Sequence, residues 1–449
     1  FVPGTRVQYS NLGVSIAAYI VEKVSGLRYE DYIEKYFLKP MGMENMTFLY
    51  SEQYKKLGAK LYDSGIPLEY YYGLDRPSEA LNGSPKDMVK MIKFFINRGK
   101  INNTQIISDS SLQRMERKES LHISKSKPFN DYGLSNYASY YKNFVYRGHG
   151  GHVPGSNSDF AYLPEYNKGY AIMINEDNQD IVNKIAELIK QYQTRDLPQE
   201  TAKSKNITYK STLDLSGYYT IINPKIEALG FWERIKNAQK IWYKNDTLYK
   251  KYFLNQNPSK YYPAENNEFR SKTTLRIGLV QVNDPIAGQV IYSDGGIIKK
   301  ISPLWAYTLL FIFWAFYIIP CTIIIFGVLR ILVFLFGKNK DRTALWICLW
   351  PLVTSSFLLA IFLSLKIIIR TMFDSFLLLG TANPLSIFIF IGSICFALAS
   401  LWSVFYIFKN RRVKMSKIFY YHSALASIIN LIFTIYFLGN GVIGIRTWI

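Results

Sequence analysis

The pattern of hydrophobic and polar residues changes abruptly near Pro303. Before this position apolar residues alternate with polar ones and are interrupted by glycine and proline, as in a globular protein. After it come four long apolar runs, and about 20 apolar residues are enough for a helix to cross a bilayer. The predicted membrane spans are Leu304–Phe326, with an extension to Phe336 left open, Thr343–Ile369, Pro384–Phe408 and Ile418–Ile445.

Basic residues are distributed unequally around these runs. The two basic loops, one after the first run and one after the third, contain Lys338, Lys340, Arg342, Lys409, Arg411, Arg412, Lys414 and Lys417. The turn after the second run has only Arg370, against Asp374. Because Lys and Arg accumulate in cytoplasmic loops, both basic loops are predicted to be cytoplasmic. The protein is then a multi-pass protein of the cell membrane. Its four spans place residues 1–302 and the tail Arg446–Ile449 on the extracellular side.

Residues 1–195 mix helix and strand patterns, which predicts an α+β fold. A first helix follows Asn11 and ends at Gly26, with one apolar face, and a second lies around Tyr29–Leu38. Asp159–Leu163 and Tyr170–Ile174 predict a β-hairpin around a polar turn. The apolar face of the first helix consists of Leu12, Ile16, Ile20 and Val24.

Two further helices have clear signals. Ser84 is a predicted N-cap, Pro85 takes the first helical position, Asp87 is in capping-box position and Gly99 ends this helix. Its apolar stripe is Met88, Met91, Ile92 and Phe95. The last helix before residue 195 is expected to turn six apolar residues inward: Ile181, Val182, Ile185, Leu188, Ile189 and Tyr192.

The remaining soluble part divides by composition. Residues 196–209 are polar and lysine-bearing, as in a linker, and 210–302 carry short strand-like runs separated by turn residues. The latter pattern predicts a small antiparallel sheet or barrel. The predicted domains are therefore 1–195, a linker at 196–209, an extracellular β-rich domain at 210–302 and a membrane domain at 303–449. The strand-like runs are Gly217–Ile222, Lys240–Tyr243, Leu248–Phe253 and Thr274–Val282.

The formal charge of +20 is compatible with nucleic-acid binding in principle. However, ten of these charges flank the membrane spans and the others are dispersed, so no nucleic-acid partner is expected. Cys321, Cys348 and Cys395 all lie in apolar runs, which leaves no cysteine for a disulfide in residues 1–302. No metal-ligand or cofactor motif is recognisable, and neither a metal nor a cofactor is expected.

Two short segments carry residue types suited to acyl transfer. Tyr9-Ser10-Asn11 places a phenol two residues before an amide at the start of a helix. A phenol with a pKa near 10 needs nearby positive charge to act as a base. The segment Gly148–Gly155 combines glycines, which permit close backbone approach, with the titratable His149 and His152. Either segment alone is also compatible with an ordinary structural role.

Six segments in order resemble the class C β-lactamase and penicillin-binding-protein-like serine hydrolase family. They are Phe1–Thr5, Tyr9–Asn11, Ile20–Gly26 with Pro40–Met43, Gly83–Met88, Gly148–Gly151 and Pro154-Gly155 with Ala161–Glu165. The resemblance covers about residues 1–195 and implies the C-terminal part of a β-lactamase/transpeptidase-like fold, an antiparallel sheet flanked by helices.

The resemblance also implies catalytic roles. Tyr9 matches the family tyrosine that assists proton transfer, and Asn11 matches the motif asparagine that contacts the nucleophile's lysine and the substrate carbonyl. His149-Gly150-Gly151 matches the third motif, and the backbone N–H of His152 matches an oxyanion-hole donor after Gly151. Many relatives have glycine where this chain has His152, so its side chain is expected to narrow the site.

The family nucleophile, a Ser-x-x-Lys motif ahead of the tyrosine, has no match before Tyr9. One such motif occurs at Ser124–Lys127, but it follows the tyrosine, precedes Pro128 and lacks an apolar helical stripe. We therefore expect this sequence to be the C-terminal part of a longer protein and to be inactive alone.

The leading hypothesis is a membrane-anchored, cell-surface serine hydrolase of bacterial type. It would act on peptidoglycan-type D-amino-acid peptides, β-lactams or related amides and esters. The alternative is a non-catalytic membrane protein that binds cell-wall peptide or has a regulatory role. A transporter is disfavoured because the spans contain no carboxylate and few other charges, with Lys366 and Arg330 near span ends. The membrane part is accordingly expected to serve as an anchor.

Overall fold

The computed structural model describes residues 9–73, 75–117, 132–199, 215–224, 229–264, 268–271, 277–293, 296–337, 340–368 and 378–448. The chain divides into two compact units. The first contains Phe1–Ser216, Ile241–Lys250 and Pro258–Lys299, and the second contains Gly217–Lys240, Lys251–Asn257 and Lys300–Ile449.

The N-terminal part of the first unit has the α+β character predicted from the sequence. Its helices are α1 (Asn11–Ser25), α2 (Tyr29–Ile33), α3 (Glu52–Leu57), α4 (Arg76–Glu79), α5 (Pro85–Ile96), α6 (Asp109–Glu116) and α7 (Gln179–Thr194). Its strands are β1 (Leu61–Asp63), β2 (Ile66–Leu68), β3 (Lys100–Ile101), β4 (Thr104–Gln105), β5 (Tyr137–Tyr141), β6 (Phe144–Val153), β7 (Ser156–Leu163) and β8 (Lys168–Ile174).

A four-stranded antiparallel sheet in the order β5-β6-β7-β8 is the centre of this part. Side chains of neighbouring residues point to opposite faces of a strand. On one face Ala161 and Leu163 pack with Val182 and other residues of α7. On the other, Tyr162 stacks on Phe95 of α5, with ring centroids 4.8 Å apart. The sheet is therefore flanked by a helix on each face.

Helix α5 begins as predicted, because the Ser84 side chain accepts a hydrogen bond from the Asp87 N–H. The predicted capping box is wrong. The buried Asp87 carboxylate accepts from the Asn45 N–H at 3.0 Å and pairs with Lys90 at 2.9 Å. Asp87 thereby fixes the preceding loop to the helix. The predicted second helix changes to a π-helix at Glu34–Leu38 after α2.

Two apolar helix faces are more exposed than their spacing suggested. In α7, Val182 is fully buried and Ile185 and Ile189 pack at the edge of the core. The inward orientation expected for three other residues is wrong, since the exposed ones include Ile181, Leu188 and Tyr192. The apolar face of α1 is also exposed: Leu12, Ile16, Ile20 and Val24.

Residues 217–301 form a closed eight-stranded barrel, which decides between the sheet and the barrel predicted for this region. Its order is β10-β11-β12-β13-β14-β15-β16-β9. Residues 274–276 of one predicted strand lie outside the described part. The strands are β9 (Gly217–Ile221), β10 (Gln239–Lys244), β11 (Thr247–Tyr252), β12 (Ser259–Pro263), β13 (Glu268–Arg270), β14 (Ile277–Asp284), β15 (Gly288–Ser293) and β16 (Gly296–Ile301).

The described residues of the second unit include four helices long and apolar enough to cross a membrane, as predicted. They are α9 (Pro303–Phe336), α10 (Arg342–Ile368), α11 (Pro384–Lys409) and α12 (Lys417–Gly439), and the short α8 (Gly230–Lys236) precedes them. The first span includes the extension left open to Phe336, whereas the last ends at Gly439 rather than Ile445. Ile369 lies outside the described residues.

Helix α8 packs onto the long helices of its unit. Phe231 is buried with residues of α9, α10, α11 and α12. Its carbonyl accepts a hydrogen bond from the Tyr436 hydroxyl at 2.6 Å. Trp232 stacks on Phe313, with centroids 5.9 Å apart. These aromatic contacts attach α8 to the helical bundle.

Candidate active site

Three tyrosines and a histidine meet at the end of the central sheet. This aromatic cluster consists of Tyr9, Tyr132, Tyr137 and His149. The ring centroid of Tyr9 lies 6.3 Å from that of His149 and 6.1 Å from that of Tyr132. The His149 ring lies 5.9 Å from Tyr132 and 5.2 Å from Tyr137. Two of the segments singled out in the sequence are thus neighbours in space.

The turn into α1 fixes the tyrosine and the asparagine. Ser10, in an extended conformation, is the N-cap, and its hydroxyl accepts a hydrogen bond from the Gly13 N–H at 3.0 Å. Asn11 is therefore the first helical residue rather than the cap. Because an N-cap residue lies outside the helix while the next residue lies inside it, Tyr9 and Asn11 are held on either side of a sharp change in backbone direction.

Asn11 has a buried side-chain oxygen without a hydrogen-bond partner among the described residues. A buried acceptor without a donor costs about 1–3 kcal/mol. Such a group in a native fold requires an explanation, and a ligand or a side chain from elsewhere is one. The amide is therefore placed to receive a donor, as the motif asparagine would from a lysine.

His149 is held by two hydrogen bonds that define its tautomer. Its Nδ1 lies 2.5 Å from the Gly150 carbonyl oxygen, which only accepts, so Nδ1 carries the proton. Its Nε2 lies 2.8 Å from the Tyr132 hydroxyl. Burial lowers the pKa of His149, with the Gly150 carbonyl and Asp159 opposing this shift. The ring is consequently neutral near pH 7, and Nε2 accepts a hydrogen bond from the Tyr132 hydroxyl.

The phenols of the cluster are stabilised in their protonated form. Partial burial, followed by the Glu79 carboxylate, raises the pKa of Tyr9. Burial, with the neighbouring tyrosines, raises the pKa of Tyr132 to about 12. This is opposite to what a phenolate base requires. If Tyr9 accepts a proton in catalysis, a positive charge must be added beside it.

The glycine run forms the part of β6 that extends beyond its pairing with β5. That pairing ends at Tyr137 opposite Gly148. The Gly150 N–H donates to the Tyr137 hydroxyl. Because alternate residues of a strand direct their N–H groups to the same side, the N–H of His152 points toward the same edge. The oxyanion donor inferred by resemblance therefore faces an edge that β5 does not cover.

The glycines of this run lie close to side chains of the neighbouring strands. A Cβ at Gly151 would lie 2.6 Å from the Ser158 hydroxyl oxygen, and one at Gly150 would lie 3.1 Å from the Tyr137 hydroxyl oxygen. The first separation is shorter than any normal contact, so a side chain at Gly151 would force the Ser158 hydroxyl to move. The glycines keep the backbone close to both neighbours.

His152 lies on the opposite face of the sheet from His149. Its Nε2 lies 2.9 Å from the Asp177 carboxylate, just before α7, and its side chain is 58% exposed. The strand pairs without interruption from Arg147 to Val153, so alternation separates the two imidazoles. The expectation that the His152 side chain narrows the site is therefore not supported by its position.

A polar layer lies behind the glycine run, on the α7 face. The Tyr170 hydroxyl donates to Asp159 at 2.7 Å, and Lys190 donates to Ser139 at 2.9 Å. Burial raises the pKa of Asp159 and lowers that of Lys190. A cavity of about 350 Å³ adjoins these groups and is also lined by Tyr137. This layer supports the cluster from behind, through the bond between Tyr137 and Gly150.

Sequence reasoning missed Tyr132 and Tyr137. Both lie in a tyrosine-rich stretch in which no motif distinguishes one tyrosine from another. The pairing of β5 with β6 brings Tyr137 beside His149, and an isolated β-bridge to Tyr137 brings Tyr132 there. The rejected Ser124–Lys127 motif lies outside the described residues.

Comparison with known proteins identifies the N-terminal part. Residues 1–194 match the Beta-lactamase family model and constitute a domain of that family. The chain is 29% identical over 110 residues to Beta-lactamase-like protein 2 of Dictyostelium discoideum, covering 23% of this chain and 19% of that protein. It is 29% identical over 100 residues to Protein flp of Staphylococcus aureus (strain MW2), covering 21% and 20%. The chain thus spans about a fifth of the length of these relatives.

A solved structure with a similar arrangement is the octameric penicillin-binding protein homologue from Pyrococcus abyssi. It is 22% identical, with a TM-score of 0.36, and the similarity covers 67% of this chain and 63% of that one. The family assignment and the observed helices and strands together confirm the β-lactamase/transpeptidase-like fold of the N-terminal domain.

Proposed function

We propose that this chain supplies part of the active site of a membrane-anchored serine hydrolase that works through an acyl-serine intermediate. Its substrates would be D-amino-acid peptides, β-lactams or related amides and esters. The observation that supports this most is the 6.3 Å separation of the Tyr9 and His149 ring centroids. Nearby in the chain, the buried side-chain oxygen of Asn11 has no partner among the described residues. Membership of the Beta-lactamase family supports the reaction class.

In the proposed reaction a serine hydroxyl attacks the substrate carbonyl carbon. The new C–O bond forms as the hydroxyl proton moves toward Tyr9, and the carbonyl oxygen gains negative charge. The His152 N–H, at the open edge of β6, would donate to that oxygen. The bond to the leaving amine or alcohol then breaks as the leaving group takes up the proton, and water later hydrolyses the ester. Neutral His149 would position Tyr132 by accepting the hydrogen bond from its hydroxyl, and it would not supply a positive charge.

The nucleophile and its lysine would come from a Ser-x-x-Lys motif outside residues 1–449. Two features of the site support this. The Asn11 oxygen lacks a donor among the described residues, and a lysine ammonium provides three. Tyr9 has a raised pKa, which an adjacent ammonium would lower. One side chain would thereby satisfy both groups.

The four apolar helices would anchor the domain to the cell membrane. The basic residues between α9 and α10 and between α11 and α12 favour a cytoplasmic position for those connections. Residues 1–302 would then be extracellular. An enzyme at a bacterial cell surface would have access to peptidoglycan-type peptides.

Covalent labelling tests the proposal. The protein expressed from its whole coding sequence should react with a fluorescent penicillin, while purified residues 1–449 should remain unlabelled. Tyr9→Phe should slow labelling of the whole protein by about 10²–10⁴-fold, the usual contribution of general acid–base catalysis. Tyr166→Phe, an exposed tyrosine at the distant β7–β8 turn, is the matched control and should react normally.

The outcomes separate the alternatives. An adduct on Ser124 in residues 1–449 would contradict the proposed source of the nucleophile. Reversible penicillin binding without acylation of the whole protein would instead favour the non-catalytic binding protein. Normal labelling of the Tyr9→Phe variant would exclude the role assigned to Tyr9.

A further inference from the structure

An arginine is buried inside the helical bundle without partners for two of its nitrogens. Arg330 of α9 is 5% exposed. Its Nε and Nη2 have no hydrogen-bond acceptor among the residues that the structure describes. These two nitrogens form one edge of the guanidinium, which is suited to two oxygens of a single anion. The side chain is therefore not extended toward the lipid.

Three helices converge around this arginine. One turn before it, the Phe326 ring stacks on His422 of α12, with centroids 3.8 Å apart. Gly327 brings α9 against Leu352 of α10, where a Cβ would lie 3.0 Å from a leucine methyl carbon. The Cys348 side chain is hydrogen-bonded to Ser423 of α12, and the charge of Arg330 acts on the Cys348 thiol. The Nε2 of His422 is also buried without a partner in the described part of the chain.

The bundle has almost no acidic side chain to balance Arg330. Residues 303–449 contain only Asp341 and Asp374 as carboxylates. Asp341 accepts from the backbone N–H groups of Thr343 and Ala344, at the start of α10. Asp374 lies outside the described residues. A buried charge without a counter-ion costs several kcal/mol, so an anion from outside the chain is the simplest compensation.

The depth of Arg330 suits a headgroup. At 1.5 Å per residue, it lies about 40 Å along α9 from Pro303. This exceeds the roughly 30 Å thickness of the hydrocarbon core. Cys348 and His422 lie within two turns of the first residues of α10 and α12, which follow the basic loops. The arginine is thus near the membrane surface that carries the basic residues.

We propose that Arg330, with His422, forms a binding site for a phosphate-type oxyanion between α9, α10 and α12. The Nε–H and Nη2–H groups donate to two phosphate oxygens. His422 donates to a third when its Nε2 carries a proton, as the neutral tautomer or as the cation. Either the phosphate of an anionic lipid headgroup or free phosphate provides this chemistry. The basic residues at the same end of the bundle attract both.

Ligand-dependent thermal stability tests the site. The full chain, purified in a maltoside detergent without phosphate, is titrated separately with short-chain phosphatidylglycerol and with inorganic phosphate. Arg330→Gln and Arg330→Met remove the guanidinium. Arg412→Gln removes an exposed arginine from the loop between α11 and α12 and is the matched control. The measurement is the shift in melting temperature as a function of ligand concentration.

A lipid site is supported if phosphatidylglycerol raises the melting temperature of wild type and of Arg412→Gln equally. Its affinity for Arg330→Gln, taken from the same titration, should be at least about tenfold weaker. The same pattern with inorganic phosphate alone supports a soluble-phosphate site. Equal responses of wild type and Arg330→Gln, or an equal loss in Arg412→Gln, overturn the proposal.

Arg330→Met keeps the test decisive if the glutamine variant does not fold. Without an anion, replacing an uncompensated buried charge with an apolar side chain should leave the melting temperature equal or higher. The ligand that binds should stabilise wild type and Arg412→Gln but not Arg330→Met. A lower melting temperature of Arg330→Met in phosphate-free detergent overturns the proposal, because it means that the arginine is already paired within the protein.

Discussion

The start of α1 and the junction of β7 with α7 both bury the side-chain oxygen of an asparagine, but among the described residues only the oxygen at the junction has a donor. Asn157, at the junction, is 0% exposed. Its amide donates to Gln179 at 3.1 Å, and its oxygen accepts from the Asn178 N–H at 2.7 Å. Asn11 has a buried oxygen without a donor among the described residues. The same side chain thus completes a structural joint in one place and leaves an acceptor available in the other.

The difference separates structural from functional polar groups. A satisfied buried amide stabilises the fold, whereas an unsatisfied one costs stability that another property must compensate. The same criterion distinguishes His149 from Arg330. Both ring nitrogens of His149 have partners, whereas two side-chain nitrogens of Arg330 have none in the part of the chain that the structure describes. Asn11 and Arg330 are therefore the groups at which we expect ligands or additional chain.

Among the changes that test this comparison, the largest effect is expected for Asn11→Ala in the protein expressed from its whole coding sequence. The rate of acylation by a fluorescent penicillin should fall by about 10²–10³-fold, as for loss of one polarising amide. Stability should change little, because the alanine leaves no new polar group without a partner. Labelling kinetics and thermal melting measure the two effects. A large loss of stability with normal labelling would reverse the assignment of Asn11.

Asn157→Ala should have the opposite profile. It removes two buried hydrogen bonds, one from the Asn178 N–H and one to the Gln179 Oε1, although the Asn178 N–H keeps its bond to the Glu176 carbonyl. At about 0.5–1.5 kcal/mol for each bond, the free energy of unfolding should decrease by about 1–3 kcal/mol. Pulse proteolysis in urea measures this loss. The rate of acylation of the folded fraction should remain that of the wild type. If Asn157→Ala were as stable as Asn11→Ala, the distinction between the two regions would be refuted.

The pH dependence of stability tests the neutral state of His149. Burial lowers the pKa of His149 in the folded protein below its ordinary value of 6.5. The unfolded chain therefore binds a proton first as the pH falls through 6.5, and stability decreases from there down to the folded pKa. The slope is at most about 1.4 kcal/mol per pH unit.

His149→Gln should lack this acid-dependent loss. Pulse proteolysis at pH 7.5 and pH 5.5 compares the variant with wild type. His152→Gln is the control, because His152 is exposed and lies on the other face of the sheet. Identical pH slopes for wild type and His149→Gln would mean that folding does not lower the pKa of His149.

The smallest effect is expected for His152→Ala. Its contact with Asp177 is exposed, and such pairs contribute about 0–1 kcal/mol. The backbone N–H, which is the proposed oxyanion donor, is retained. Acylation of the whole protein should therefore proceed within a few-fold of the wild-type rate. A strong loss of acylation would place the His152 side chain in the site after all.

Local signals predicted the elements well where they were self-contained. Ser84 and Pro85 specified the start of α5, and the polar turn after Leu163 specified the hairpin of β7 and β8. The four helices that are apolar enough to cross a membrane were predicted from apolar length alone. Their ends were less predictable, because the apolar composition continues past Gly439 although the helix does not.

Neighbours in space could not be predicted from periodicity. The spacing of Leu188 and Tyr192 shows that they share an apolar helix face, but not whether any element covers it. The alternation of short strands did not indicate whether the sheet closes into a barrel. Nor could it select Tyr132 from a tyrosine-rich stretch. The burial of Arg330 was hidden because α9 is apolar on all sides.

The account rests most on the claim that a cation completes the site around Tyr9 and Asn11. The pKa of the Tyr9 phenol tests this directly, using ¹³C-tyrosine NMR with Tyr9→Phe for assignment, in residues 1–449 and in the protein from the whole coding sequence. We predict a pKa above 10 in residues 1–449 and below 10 in the whole protein. A pKa above 10 in both would contradict the account.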